Sequence, residues 1–311
     1  MKLDYKLYRK LLPFLGILCA LAFGLRIYTY WKELDVANGF FAGNGAGCVV
    51  FNVLSFAVFF LCLLFTYRKS GTSVGSSTVS VSRTARNEEE DEDSLLINDS
   101  DPLDEVEEEF PTFFLHGFAK KCAVWFGTFS ALAALLPGFG LLSHGISFLL
   151  EKDSAKDPYT TVYMLLTIAS GIFFLFYALR NSSEKSLPTA IFSLVPAFAF
   201  AMRLITEYRD MEQFLNKAMY VGQFLFVIAA LSFFLNQSQI LLGEDNFGSP
   251  NAYVFSGVAV VFFGLAARLP QLFAIMGSRI QMNLYTSTAL LADLALTLFV
   301  ASKLMTVTKR K

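Results

Sequence analysis

The sequence predicts an all-α fold, a polytopic transmembrane helical bundle of about eight spans arranged as four antiparallel hairpins. Three observations predict it. Apolar segments long enough to cross a bilayer recur eight times in the 311 residues; a helix rising 1.5 Å per residue needs roughly 20 residues to cross a hydrocarbon core about 30 Å thick. Charged residues are only 16% of the chain against 55% hydrophobic, with a mean hydropathy of +0.51, whereas water-soluble proteins carry about 25% charge. Most connections between the apolar runs are short, which turns each helix back along its predecessor.

The expected spans are 11–31, 47–67, 122–148, 158–179, 187–208, 216–235, 252–273 and 283–304. The first follows Lys2, Lys6, Arg9 and Lys10 and runs on to Trp31 without a small-residue cleavage site, so it reads as a retained span rather than a signal peptide. Three regions result: a first hairpin over 1–67, a hydrophilic loop over 68–121 and a six-helix region over 122–311. Abundant phenylalanine, 34 residues in all, suits lipid-facing helices because Phe is among the residues that insert most readily.

Lys and Arg set the orientation. With both termini in the cytoplasm, 16 basic residues fall on the cytoplasmic side and six outside, with Arg26, Arg203 and Arg268 inside spans. The triplets at Asn98, Asn181 and Asn236 then face the cytoplasm and escape glycosylation. A plasma-membrane location is the expectation.

The 68–121 loop is rich in Ser, Thr and Gly up to Ser82 and then acidic, holding 13 of the 26 carboxylates between Glu88 and Glu109. Such a segment has too little apolar surface to offset its ordering entropy and is expected to be disordered. It reads as a solvated linker, or as a docking surface in which Leu95-Leu96-Ile97 meets a basic cytoplasmic protein. The run 111–119 carries Phe113, Phe114, Leu115 and Phe118 and suits a membrane surface.

The odd-numbered spans contain a short internal repeat. Gly24-Leu25-Arg26-Ile27, Ala201-Met202-Arg203-Leu204 and Ala266-Ala267-Arg268-Leu269 each place an aromatic five residues past the arginine, at Trp31, Tyr208 and Phe273. In the third span the matching place falls near Gly140-Leu141-Leu142-Ser143, without an arginine but with His144 close by. Even spans carry Asn52, Tyr163, Gln223 and Asn283 or Thr286 in their outer halves. Repeat-built architectures are common among transporters.

Snorkelling to the headgroups is the ordinary explanation of an arginine near a helix end. Here the outward direction opposes the tilt of the Cα–Cβ bond towards the helix N-terminus, so a buried partner or a water-filled cavity is expected instead. Asp293 sits near the middle of the last span with no other charge within nine residues on either side. A mid-helix Asp costs roughly 2.5–3.5 kcal/mol on insertion scales, so it should face a partner. Arg268 on the preceding helix comes first, then Arg203 or Arg26. The carboxylate then fixes helix packing, couples a proton or cation, or stays protonated against Ser or Thr.

Pro13, Pro137, Pro196 and Pro270 all fall on odd spans, and Pro137-Gly138-Phe139-Gly140 is the expected break that splits the third. Cys19, Cys48, Cys62 and Cys122 have no CxxC or metal-ligand spacing, so neither a disulfide framework nor a zinc site is expected. His116 and His144 are far apart. Glu207, Asp210 and Glu212 read as solvated charge at a helix end. Hydrolase, P-loop and dinucleotide fingerprints are missing, and no cofactor or nucleic acid is expected.

These observations lead to a transporter or binding protein for a small anionic solute, with Arg26, Arg203 and Arg268 holding the anion in an outward-facing cavity. Asn52, Tyr163 and Gln223 would tune its fit, and Asp293 would partner an arginine or carry the coupling proton. Guanidiniums sharing one low-dielectric space repel unless an anion joins them. The alternatives are a non-catalytic scaffold or sensor working through its acidic loop and, further off, a membrane-embedded lipid-modifying enzyme.

Overall fold

The computed structural model describes residues 5–35, 40–41, 45–67, 133–150, 157–179, 191–213, 220–242, 250–278 and 284–307. Helix α1 spans Tyr5–Lys32 with Pro13 inside it. A two-residue ladder comes next, β1 (Leu34–Asp35) against β2 (Phe40–Phe41), antiparallel with Leu34 opposite Phe41. This small hairpin lies between the first two spans, in a stretch without a strand pattern. Beside it, Glu33 reaches the start of α2 (Ala46–Tyr67), its two carboxylate oxygens accepting from the amides of Gly47 and Cys48 at 2.8 and 3.0 Å. First-turn amides have no partner within their own helix, and an anion there also meets the positive end of the helix dipole.

Helix α3 covers Ala133–Leu150 and is continuous through Pro137-Gly138-Phe139-Gly140, so the expected break is absent. The glycines serve approach instead. A Cβ on Gly140 would lie 2.9 Å from the Ala292 Cα, and one on Gly171 would lie 3.0 Å from the Gly138 carbonyl oxygen. Small residues at crossings let membrane helices pack backbone against backbone. Helix α4, Pro158–Leu179, matches the expected span. Asp157 caps it, Oδ2 accepting from the Thr160 amide at 3.3 Å, with Pro158 opening the helix where its missing N–H costs nothing. Partial burial lifts the Asp157 carboxyl, and hydrogen bonds from Arg209 and Thr160 more than reverse that, leaving it below its ordinary range.

Helix α5 runs over Leu194–Gln213, α6 over Val221–Leu242 and α7 over Pro250–Phe263. Five residues of π-helix, Gly264–Arg268, join α7 to α8, Leu269–Met276, and α9 covers Leu284–Val307. Among the described residues, seven helices are long and apolar enough to cross a membrane, with the α7–π–α8 rod (Asn251–Met276) counted as one. This is compatible with a multi-pass membrane protein. The remaining expected span, the fifth at 187–208, overlaps α5, whose apolar residues are diluted by Arg203, Glu207, Arg209, Asp210 and Glu212 and which does not meet that criterion.

The described residues belong to one compact unit, formed from Met1–Ser70 and Ala123–Lys311. The acidic stretch, the 111–119 run, His116 and Cys122 lie outside the described residues. The α7–π–α8 rod is the most enclosed of the seven, with two thirds of its residues buried, whereas α1 and α2 show most of their length to the surroundings. Helices α4, α5, α6 and α9 share an aromatic core. Phe200 stacks on Phe234 at 5.8 Å, and Phe174 meets Phe234 and Phe299 edge-on. Outward faces are apolar too: Leu64 and Phe176 are two thirds exposed, and Phe14, Val53, Phe60, Phe139, Phe198 and Leu298 are also exposed. Contiguous apolar surface of this kind is rare on water-soluble monomers and is what a lipid-facing helix presents.

Candidate functional site

Asp293 lies in the middle of α9, 1% exposed, and both its oxygens are used. Arg203 of α5 grips it with a two-pronged fork, Nη1 to Oδ1 at 2.5 Å and Nη2 to Oδ2 at 2.8 Å, while Arg268 Nη2 reaches Oδ2 at 2.5 Å. From sequence, Arg268 ranks first among its partners, with Arg203 or Arg26 next; Arg268 and Arg203 both reach it, and Arg26 lies elsewhere. The arginines then engage others. Arg203 Nε donates to Glu207 Oε1 at 2.7 Å, Gln223 Nε2 donates to the same oxygen at 2.8 Å, and Arg268 Nη1 donates to Gln223 Oε1 at 2.8 Å. The result is a closed ring of five side chains, Asp293, Arg203, Glu207, Gln223 and Arg268, tying together α5, α6, the π segment and α9. Gln271 adds its carbonyl oxygen to Arg268 Nη1 at 3.1 Å.

Local backbone chemistry aims Arg268 into this ring. Pro270 has no N–H, so the Ala266 carbonyl loses its ordinary partner four residues on. The chain widens instead, and the Leu269 N–H bonds back five residues to the Gly264 carbonyl. One extra residue in a turn rotates the rest of the helix by about 100°, and π-bulges concentrate at functional sites. Gly264 is needed for a second reason. A Cβ there would overlap Thr297 Oγ1, which lies one turn beyond Asp293 and donates to its carbonyl. The π segment and α9 therefore pack tightly one turn from Asp293.

Arg26 sits apart from the ring, 1% exposed on α1. Its guanidinium lies 4.6 Å from the Phe51 ring centre and 5.0 Å from that of Tyr30, and Nη1 reaches Cys48 Sγ at 3.8 Å. Aromatic faces stabilise a desolvated cation through the ring quadrupole. All three arginines are buried rather than extended to an interface, in agreement with the direction in which their side chains leave the backbone.

Arg26, Arg203 and Arg268 line one cavity of about 320 Å³, together with Tyr163, Gln223, Glu207 and His144. The cavity forms where the C-terminal halves of α1, α3 and α5 meet the N-terminal ends of α4, α6 and α9, so a single end of the bundle carries it. Asn52 does not line it; its Nδ2 lies 4.0 Å from Cys48 Sγ. Among the described lining residues three guanidiniums face one carboxylate, and Asp293 behind them supplies the second. These five groups sum to one positive charge. Arg268 Nε is buried and has no hydrogen-bond acceptor among the described residues.

Sequence reasoning sets Glu207 aside as solvated, although its spacing four residues after Arg203 is the available signal for an ion pair. It also passes over Tyr30, Gln271 and Thr288, which carry no distinguishing pattern. His144, close to the vacant repeat position, proves central to the opposite wall. Its Nε2 is 3.3 Å from Tyr163 Oη, its Nδ1 is 3.3 Å from Thr288 Oγ1, and its ring lies 4.6 Å from Tyr285. Among the described residues no three His, Cys, Asp or Glu side chains converge as a metal site. The geometry offers anion recognition: fixed guanidiniums, tyrosine hydroxyls and amides around a partly enclosed space. Comparison with protein families, curated proteins and solved structures finds no match to this chain.

Proposed function

We propose that the chain is a multi-pass membrane protein that binds a small anionic solute in the arginine-lined cavity and carries it across the membrane. One observation carries this reading: three buried guanidiniums share the wall of a 320 Å³ cavity whose five charged groups leave one positive charge over. Desolvated cations in one space favour a counter-charge, and a cavity of this volume suits a small molecule. Arg268 Nε supplies a buried donor towards such a ligand.

Helix α5 then completes the set of eight spans as the fifth in chain order. Its charges are matched by neighbours, Arg203 by Asp293 and Glu207, and Arg209 by Asp157, which lowers the cost of placing them in a membrane. With both termini cytoplasmic, in the plasma membrane, the cavity opens outward. The ring favours a second role for two of the arginines, since the Asp293 pairs lock four helices whether or not a solute binds. A scaffold reading, with the acidic loop meeting a basic cytoplasmic partner, would rest on that role alone.

The test is the thermal unfolding midpoint of the detergent-purified protein with sulfate, lactate or benzoate, alongside Arg26→Gln. This variant removes a cavity cation while leaving the Asp293 ring intact. A ligand at a hundredfold excess over Kd adds about 2.7 kcal/mol to stability. A rise in wild type that disappears in Arg26→Gln supports the reading and leads to flux measurements in proteoliposomes. No rise with any of the three anions refutes it.

A further inference from the structure

The structure extends the arginine repeat to the span that lacks an arginine. Pro196 precedes Arg203 by seven residues, and Pro137 precedes His144 by seven. Leu194-Val195-Pro196-Ala197-Phe198-Ala199 matches Leu135-Leu136-Pro137-Gly138-Phe139-Gly140. Three residues beyond each, a hydroxyl turns back to the same carbonyl: Thr206 to Arg203 at 2.9 Å and Ser147 to His144 at 2.8 Å. Thr29 does the same for Arg26 at 2.8 Å. The repeat position in the third span is therefore His144, two residues past the register expected from sequence. It lines the same cavity as the three arginines. Where three repeats place a permanent cation, the fourth places a side chain whose charge depends on a proton.

The hydrogen bonds around His144 define its neutral tautomer. Thr288 Oγ1 donates its hydrogen to the Tyr285 carbonyl at 2.9 Å, so towards His144 it acts as acceptor, and Nδ1 carries the imidazole hydrogen. Nε2 then holds the lone pair and accepts from the Tyr163 hydroxyl. The basic nitrogen of the cavity faces a hydroxyl that itself lines the cavity.

We propose that the cavity takes up one proton with each anion, and that the proton resides on Nε2 of His144. This rests on the anion-binding reading above. The proton adds to the Nε2 lone pair; the new Nε2–H donates to Tyr163 Oη, and the tyrosine hydrogen swings into the cavity as a donor to the bound anion. No bond to carbon changes and no electrons move. The charged and titratable groups around the cavity decide when this happens: Arg26 and Tyr30 from α1, Tyr163 from α4, Arg203 and Glu207 from α5, Arg268 from the π segment, and Asp293 and Tyr285 from α9. Before an anion binds, the three guanidiniums outnumber the two carboxylates by one charge, and that excess opposes a further cation. An anion among them reverses the balance, and by reciprocity the protonated imidazole tightens the anion.

Isothermal titration calorimetry of the whole protein with sulfate, lactate and benzoate, none of which titrates between pH 6 and 9, tests it. Repeating each titration in buffers of different ionisation enthalpy counts the protons absorbed. Wild type is expected to absorb close to one proton per anion, with Kd rising up to tenfold per pH unit through the titration window. His144→Asn and His144→Gln are expected to absorb none and to show a flat Kd across that range. Proton uptake that persists in both variants assigns the proton to another group, Glu207 first, and overturns the proposal. Binding without uptake in wild type overturns it with no variant needed and leaves the anion site standing. Absence of binding by all three anions overturns both readings together.

Discussion

Replacing Asp293 with Asn keeps the side-chain shape and removes the charge that two guanidiniums share. Oδ2 accepts from Arg203 Nη2 at 2.8 Å and from Arg268 Nη2 at 2.5 Å. Two cations held by one oxygen sit roughly 5 Å apart, and at an effective dielectric of 20 they repel by about 3 kcal/mol. Asp293 is 1% exposed, and neither arginine is more than 6% exposed in its side chain, so water screens little of this. Breaking a buried pair from one side costs about 3–5 kcal/mol in general. Asp293→Asn is therefore expected to lose about 3–5 kcal/mol. Adding Arg268→Gln should return part of that loss, because it removes one of the two opposing charges. The assay is unfolding in mixed micelles of mild detergent and SDS, monitored by circular dichroism, with the double-mutant cycle giving the coupling directly. A loss below about 1 kcal/mol in the single variant would refute the argument. So would a double variant that is less stable than Asp293→Asn alone.

Two further outcomes are expected from contacts away from the charges. Gly264→Ala should destabilise by about 1–3 kcal/mol, because its Cβ meets Thr297 where the π segment crosses α9 and closely packed sites resist added volume; Thr297→Ala, which removes Oγ1 and Cγ2, should recover part of the loss in the same assay. Glu33→Ala should cost about 0.5–2 kcal/mol as the loss of a helix cap, and hydrogen exchange should quicken at the Gly47 and Cys48 amides, which Glu33 holds at 2.8 and 3.0 Å.

Length and hydropathy alone establish a bundle of apolar helices and place several of them closely. Span 158–179 coincides with α4, and 47–67 with α2 apart from one residue. The reason is local: length and hydropathy are properties of a segment, and a charge-poor run of 20 residues is visible without its neighbours. Burial of the arginines was legible as well, from the direction in which a helical side chain leaves the backbone. Asp293 announced a partner because a lone mid-helix carboxylate is too costly to leave without one.

Which charges meet depends on how the helices pack. Arg203 and Asp293 are 90 residues apart, and nothing in either segment's composition selects the other; the choice depends on how α5 and α9 rotate and cross. Glu207 resembled solvated charge until Gln223 and Arg203 closed around it. The glycines of α3 resembled a break, yet the helix continues, because Ala292 and Gly171 occupy the space that side chains would fill. The irregularity falls instead at Gly264–Arg268, where a missing amide at Pro270 and close approach by Thr297 coincide. Asn52 shares the outer-half position of Gln223 but faces Cys48 rather than the cavity. Position along a helix is written in sequence spacing, whereas the direction a residue faces is set by packing against helices far away in the chain.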